Sequence, residues 1–134
     1  MDKYKVLIVD DEPDNLALLY RTLRGKYDIA KSTSPLMALE MLQQEHFHCI
    51  LSDHKMPEMD GLEVLDRFNE MGVESAVVMI SGHGDIDTAV DCIKKGAFDF
   101  IQKPLDLNRI LITIKNATEK VHLVKETKTL KKKV

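Results

Sequence analysis

No stretch of this chain approaches the roughly 18 consecutive apolar residues of a membrane span, so a transmembrane helix is not expected. A signal-peptide pattern is missing too, because Met-Asp-Lys-Tyr-Lys runs straight into an apolar segment. Cysteine is scarce. Cys49 and Cys92 have no metal-ligand spacing, and both are expected to be reduced thiols in a cytoplasmic protein. There is no internal repeat, and after residue 105 there is neither a phosphate-binding glycine loop nor a helix-turn-helix candidate. A net charge of −3 over 134 residues argues against a nucleic-acid binder acting through overall charge. That mean hides an asymmetry. Residues 1–114 carry 12 basic and 20 acidic side chains, whereas residues 115–134 carry 7 lysines and 2 glutamates.

What the chain does have is a regular alternation of short apolar runs and longer periodic segments. Val6–Val9 and Ala76–Ile80 are continuous apolar runs, the habit of parallel strands buried on both faces. Cys49–Leu51 leads a third such strand to Asp53, Tyr27–Lys31 alternates as an edge strand would, and Phe98, Phe100 and Ile101 mark a fifth. Helical spacing lies between them: Leu16, Leu19, Tyr20 and Leu23; Ala38, Leu39, Met41 and Leu42; Leu62, Val64, Leu65 and Phe68; Ile86, Ala89, Val90 and Ile93. Pro13 and Ser34-Pro35 fit helix starts, Asp106 could cap the last helix, and Gly25, Gly72 and Gly96 are candidate helix ends. Five strand–helix units of this kind predict an α/β fold with a parallel sheet covered on both faces, since right-handed crossovers need the helices.

In such a sheet the C-terminal ends of the strands share one rim. Here those ends carry Asp10-Asp11, Asp53, Ser81 and Lys103. Three carboxylates in one pocket repel, at about 4 kcal/mol for two charges roughly 4 Å apart in an effective dielectric near 20. Lys103 supplies one positive charge. A hard divalent cation such as Mg²⁺ is the natural second, because it prefers oxygen ligands and takes one or two carboxylates while keeping several waters. A metal, a lysine, a hydroxyl and an exposed aspartate together suit phosphoryl transfer to a carboxylate.

The residues carrying this chemistry also carry a resemblance. Val-Leu-Ile-Val-Asp-Asp-Glu-Pro (6–13), Ser-Asp-His-Lys-Met-Pro-Glu-Met-Asp-Gly (52–61), Ser-Gly-His-Gly (81–84) and Gly-Ala-Phe-Asp-Phe-Ile-Gln-Lys-Pro-Leu (96–105) resemble, in this order, the receiver domain of two-component response regulators. The resemblance covers about residues 4–120 and is nearest to receivers of NtrC-like sigma-54-dependent transcriptional activators. It implies a flavodoxin-like, doubly wound five-stranded sheet of order 2-1-3-4-5. It implies that Asp53 accepts a phosphoryl group from a sensor histidine kinase, and that Mg²⁺ is held by Asp10, Asp11, Asp53 and the backbone carbonyl of Lys55. Ser81 and Lys103 would contact phosphoryl oxygens, and the peptide before Pro104 would be cis. Phe100 matches the switch aromatic, which would turn inward as Ser81 moves toward the phosphoryl group. Lys55 and His83 match positions along the path of the hydrolytic water. His46, His48, His54 and His122 show no ligand spacing.

The resemblance places a receiver domain at 1–120 and a helical linker at 121–134 toward an effector domain that this chain does not contain. DNA would be reached only through that domain. Leu107 to Val134 holds no glycine or proline, and Ile110, Ile114, Ala117, Val121 and Val124 follow a heptad seam. The last helix is therefore expected to outrun the domain and to begin a two-stranded coiled coil. Homodimerisation is expected through it or through the face of the fourth helix, fifth strand and fifth helix. The alternative reading is a metal-dependent phosphotransferase or hydrolase of small substrates acting through Asp53. Enzymes like the haloacid dehalogenases would place a second aspartate two residues after the nucleophile, where this chain has Lys55.

Overall fold

Strands with no polar face need cover on both sides, and the chain supplies it by alternating strand and helix from end to end. A computed structural model describes residues 3–54, 56, 58–82 and 86–132, without the side chains of residues 86 and 121–132. The elements are β1 (Lys5–Val9), α1 (Pro13–Leu23), β2 (Asp28–Ser32), α2 (Pro35–Gln44), β3 (Cys49–Asp53), α3 (Gly61–Met71), β4 (Ala76–Ser81), α4 (Ile86–Lys94), β5 (Asp99–Gln102) and α5 (Leu107–Lys132). All five strands are parallel, in the order β2-β1-β3-β4-β5. The flavodoxin-like order expected from the resemblance is therefore the order observed.

The period-2 alternation of the strands divides the core into two layers. Val6, Ile8, Leu51, Val78, Ile80 and Ile101 face Leu16, Leu19 and Leu23 of α1 and Ile110, Ile114 and Ala117 of α5. Leu7, Val9, Ile50, Val77 and Met79 face Ala38 of α2, Val64, Leu65 and Phe68 of α3, and Cys92 of α4. Connections from β1 and β3 leave in opposite directions along the sheet, which opens a crevice between their C-terminal ends.

Local chemistry fixes the helix boundaries. Ser34 Oγ accepts from the N–H groups of Leu36 and Met37, Asp60 Oδ1 from Glu63 N at 2.9 Å, and Asp106 Oδ1 from Asn108 N at 3.0 Å. Gly72 (φ 71°) and Gly96 (φ 105°) take the left-handed conformation that a side chain would resist. Gly25 does not act as the helix-capping residue that the sequence suggests. Arg24 caps α1 in a right-handed conformation, and its N–H bonds Tyr20 O, so no left-handed residue is needed.

Two further expectations are revised by packing. On α4, Val90 and Ile93 are exposed, and Cys92 is the buried residue among the described side chains. At α5, the first three seam positions, Ile110, Ile114 and Ala117, are fully buried against the domain's own sheet, so no second chain can use them. The helix itself is long: 26 residues at 1.5 Å each span about 39 Å. Val121 and Val124 have side chains outside the described set.

Candidate functional site

Asp10 follows β1 directly, and its side chain turns the chain into α1. Its Oδ1 accepts from Glu12 N at 2.9 Å, while its own N–H donates to Ser32 O at 3.0 Å. This buries Asp10 and leaves Asp11 exposed on the rim. Across the crevice Asp53 is the last residue of β3 and is 4% exposed. One carboxylate oxygen from each of Asp10, Asp11 and Asp53 lies within 4.8 Å of the others. Three hard oxygen donors, two buried and one open to solvent, fit a small divalent cation that retains part of its water shell.

The opposing charge comes from β5. Lys103 Nζ stands 3.4 Å from Asp53 Oδ2. Its N–H donates to Ser81 O at 2.7 Å, continuing the β4–β5 ladder past the end of the strand, and its peptide bond to Pro104 is cis as expected. Ser81 closes β4, fully buried, with Oγ donating to Gly82 O at 3.2 Å. Four strand ends thus deliver Asp10-Asp11, Asp53, Ser81 and Lys103 to one rim.

Electrostatics agree with this geometry. Burial pushes the Asp10 carboxyl above its ordinary value, and the charge of Asp53 adds to that push. The Glu12 N–H and Lys103 act the other way without cancelling it. Three carboxylates face one ammonium here, an excess of negative charge that a cation relieves.

Phe100 lies half-buried on β5, in register with Met79 and two positions before the partner of Ser81, packed against the α2–α3–α4 layer. Arg109 of α5 donates to Phe100 O at 3.4 Å and pairs with Asp99 at 3.6 Å. Lys55 and His83, whose roles come from the resemblance, lie outside the described residues.

Sequence reasoning missed two contacts of the β3–α3 loop. Ser34 Oγ, the cap of α2, bonds Glu58 Oε2. His54, given no role from its spacing, is buried, and Gly61 N–H donates both to its carbonyl at 2.7 Å and to its Nδ1 at 3.2 Å. Neither contact has a periodic signature. Only the Gly61 beside the α3 cap hinted at a close approach.

Residues 6–115 match the family described as response regulator receiver domain. Response regulator protein PilR of Pseudomonas aeruginosa is 40% identical over 111 residues, covering 82% of this chain and 25% of PilR. Transcriptional regulatory protein ZraR of Klebsiella oxytoca is 33% identical over 117 residues, covering 87% of this chain and 26% of ZraR. The chain thus spans about a quarter of the length of these relatives. Among solved structures, the signal receiver domain of a putative LuxO repressor protein from Vibrio parahaemolyticus superposes with a TM-score of 0.89 at 28% identity, covering 93% of this chain and 97% of that one.

Proposed function

The chain belongs to the response regulator receiver family, and on that premise we propose that it is a phosphorylation-controlled switch whose acceptor is Asp53. One observation carries the reading: Asp53, at the mouth of the β1–β3 crevice, has the Lys103 ammonium on one side and the Asp10–Asp11 pair on the other. The donor is a phosphohistidine of a sensor kinase. An Asp53 oxygen attacks phosphorus, the new O–P bond forms as the N–P bond breaks, and the electron pair leaves on the imidazole nitrogen. Lys103 and the Ser81 hydroxyl offset charge on the equatorial oxygens. Mg²⁺ held by Asp10, Asp11, Asp53 and the Lys55 carbonyl would add positive charge beside the same oxygens.

The phosphoryl group changes the charge of one buried pocket. Ser81 moves toward it, Phe100 turns into the space released, and the face of α4, β5 and α5 changes shape. The exposed Val90 and Ile93 put apolar surface on α4. The output is regulation of transcription through an effector domain outside this chain, a reading supported by the likeness to ZraR. Residues 121–134 are the helical linker toward it, and the pairing of two linkers starts beyond Ala117. The protein acts in the cytoplasm as a regulator, catalysing only its own phosphorylation and dephosphorylation.

Incubation with Mg²⁺ and acetyl phosphate tests the reading. The intact mass should rise by one phosphoryl group, and Asp53→Asn should abolish the rise. An unchanged mass in the parent protein, with donor and metal shown to be active, overturns the assignment.

A further inference from the structure

We propose that Ser32 is a positioning residue: its hydroxyl closes the turn after β2, fixes the carbonyl that receives the Asp10 N–H, and so holds Asp10 in place in the carboxylate cluster for a divalent cation. Ser32 ends β2, stands in register with Val9, and is 1% exposed. Its carbonyl accepts from Asp10 N at 3.0 Å, which carries the β1–β2 ladder one step past the paired residues. That bond ties the backbone of Asp10 to the outermost strand of the sheet.

Beyond Ser32 the chain turns at once into α2, so a strand neighbour cannot hold the far side of this carbonyl. The Ser32 hydroxyl does it instead. Its Oγ donates to Ser34 O at 2.6 Å and accepts from Ser34 N at 3.3 Å, a side-chain turn closed from both ends. Ser34 is itself fixed as the cap of α2. On the other side of Asp10, its Oδ1 accepts from Glu12 N at 2.9 Å, which sets the carboxylate relative to its own backbone. Two links in series therefore run from the Ser32 turn to a carboxylate of the cluster, which lies within 4.8 Å of its two neighbours. Loosening the turn frees the Asp10 backbone, and an ordering cost then falls on cation binding. The inference rests on the reading of this cluster as the cation site.

The test is the Mg²⁺ affinity of the unphosphorylated 134-residue protein, measured by calorimetry for the parent, Ser32→Ala, Ser32→Thr and Ser75→Ala. Thr keeps the hydroxyl. Ser75, whose Oγ bonds Phe47 O, loses a comparable side-chain bond at the other end of the sheet. Ser32→Ala should bind Mg²⁺ roughly two- to tenfold more weakly, the worth of one hydrogen bond. Ser32→Thr and Ser75→Ala should stay within about twofold of the parent. Ser32→Ala binding like the parent, or weakening no more than either of the other two, overturns the proposal. A second arm covers an Ala variant that does not fold. Ser32→Cys keeps the volume with a weaker donor and acceptor, and in metal-free protein its Asp10 amide should exchange with solvent faster than the parent's, while an unchanged rate overturns the link. Failure of the phosphoacceptor reading is seen separately, as an Asp53→Asn protein that still takes up phosphoryl, and a parent that binds no Mg²⁺ overturns the cation reading and this proposal together.

Discussion

Asp10 shows how a site residue trades stability for function. Its folded-state pKa is raised, so the folded protein holds that proton more tightly than the unfolded chain does. Stability is therefore greatest below the ordinary carboxylate pKa and is lost as pH climbs through the raised value; at neutral pH the whole cost is present. Asp10→Asn keeps an acceptor for the Glu12 N–H and removes the charge. In chelator at pH 7 this variant should be more stable than the parent by about 1 kcal/mol in urea unfolding, and it should bind Mg²⁺ more weakly. A lower unfolding midpoint would count against the electrostatic account. Lys103→Met removes the ammonium 3.4 Å from Asp53 and should slow phosphorylation by acetyl phosphate about 10- to 100-fold, the worth of one charge-assisted hydrogen bond. Cys49 offers a control on the core. Burial pushes its thiol up to about 12, so at pH 8 it should react with a thiol reagent only at the rate of unfolding, and rapid labelling in native buffer would contradict its place in β3.

At the scale of elements, two glycines that look alike in the sequence separate cleanly. Gly72 ends α3 at φ 71°, and Gly72→Ala should cost about 1 kcal/mol. Gly25 has no positive φ and open space around its Cβ position, so Gly25→Ala should be neutral or stabilising by a few tenths of a kcal/mol. The same contrast shows what the sequence could tell. The strands were legible because Val6–Val9, Ile50–Leu51 and Ala76–Ile80 must be covered on both faces, and Ser34 and Asp106 announce their caps through side-chain chemistry. The four polar strand ends were legible because a parallel sheet leaves them no other rim. Neighbours that sequence does not name were not legible. Periodicity defines an apolar stripe on α4 but not which of its residues finds a partner, so Val90 and Ile93 are exposed while Cys92 is buried. A heptad seam at Ile110, Ile114 and Ala117 reads the same whether a second helix or the domain's own sheet fills it. His54 meets Gly61 across an irregular loop, beyond the reach of any spacing rule.

For the whole molecule, the sheet order is what gathers positions 10 to 103 at one crevice, and α5 is what leaves it. Arg109 joins α5 to β5, and α5 runs as a helix of about 39 Å. If pairing of chains begins beyond Ala117, residues 1–134 should sediment with a larger mass than residues 1–120 at equal concentration, and equal monomeric masses would count against that pairing. The central claim is narrower and more directly exposed: Asp53, and neither of its two carboxylate neighbours, takes the phosphoryl group. Borohydride reduction of the acetyl phosphate-treated protein converts an acyl phosphate to the alcohol, and peptide mass mapping then locates it. The account predicts homoserine at position 53 alone, while homoserine at position 10 or 11, or at no position, would contradict it.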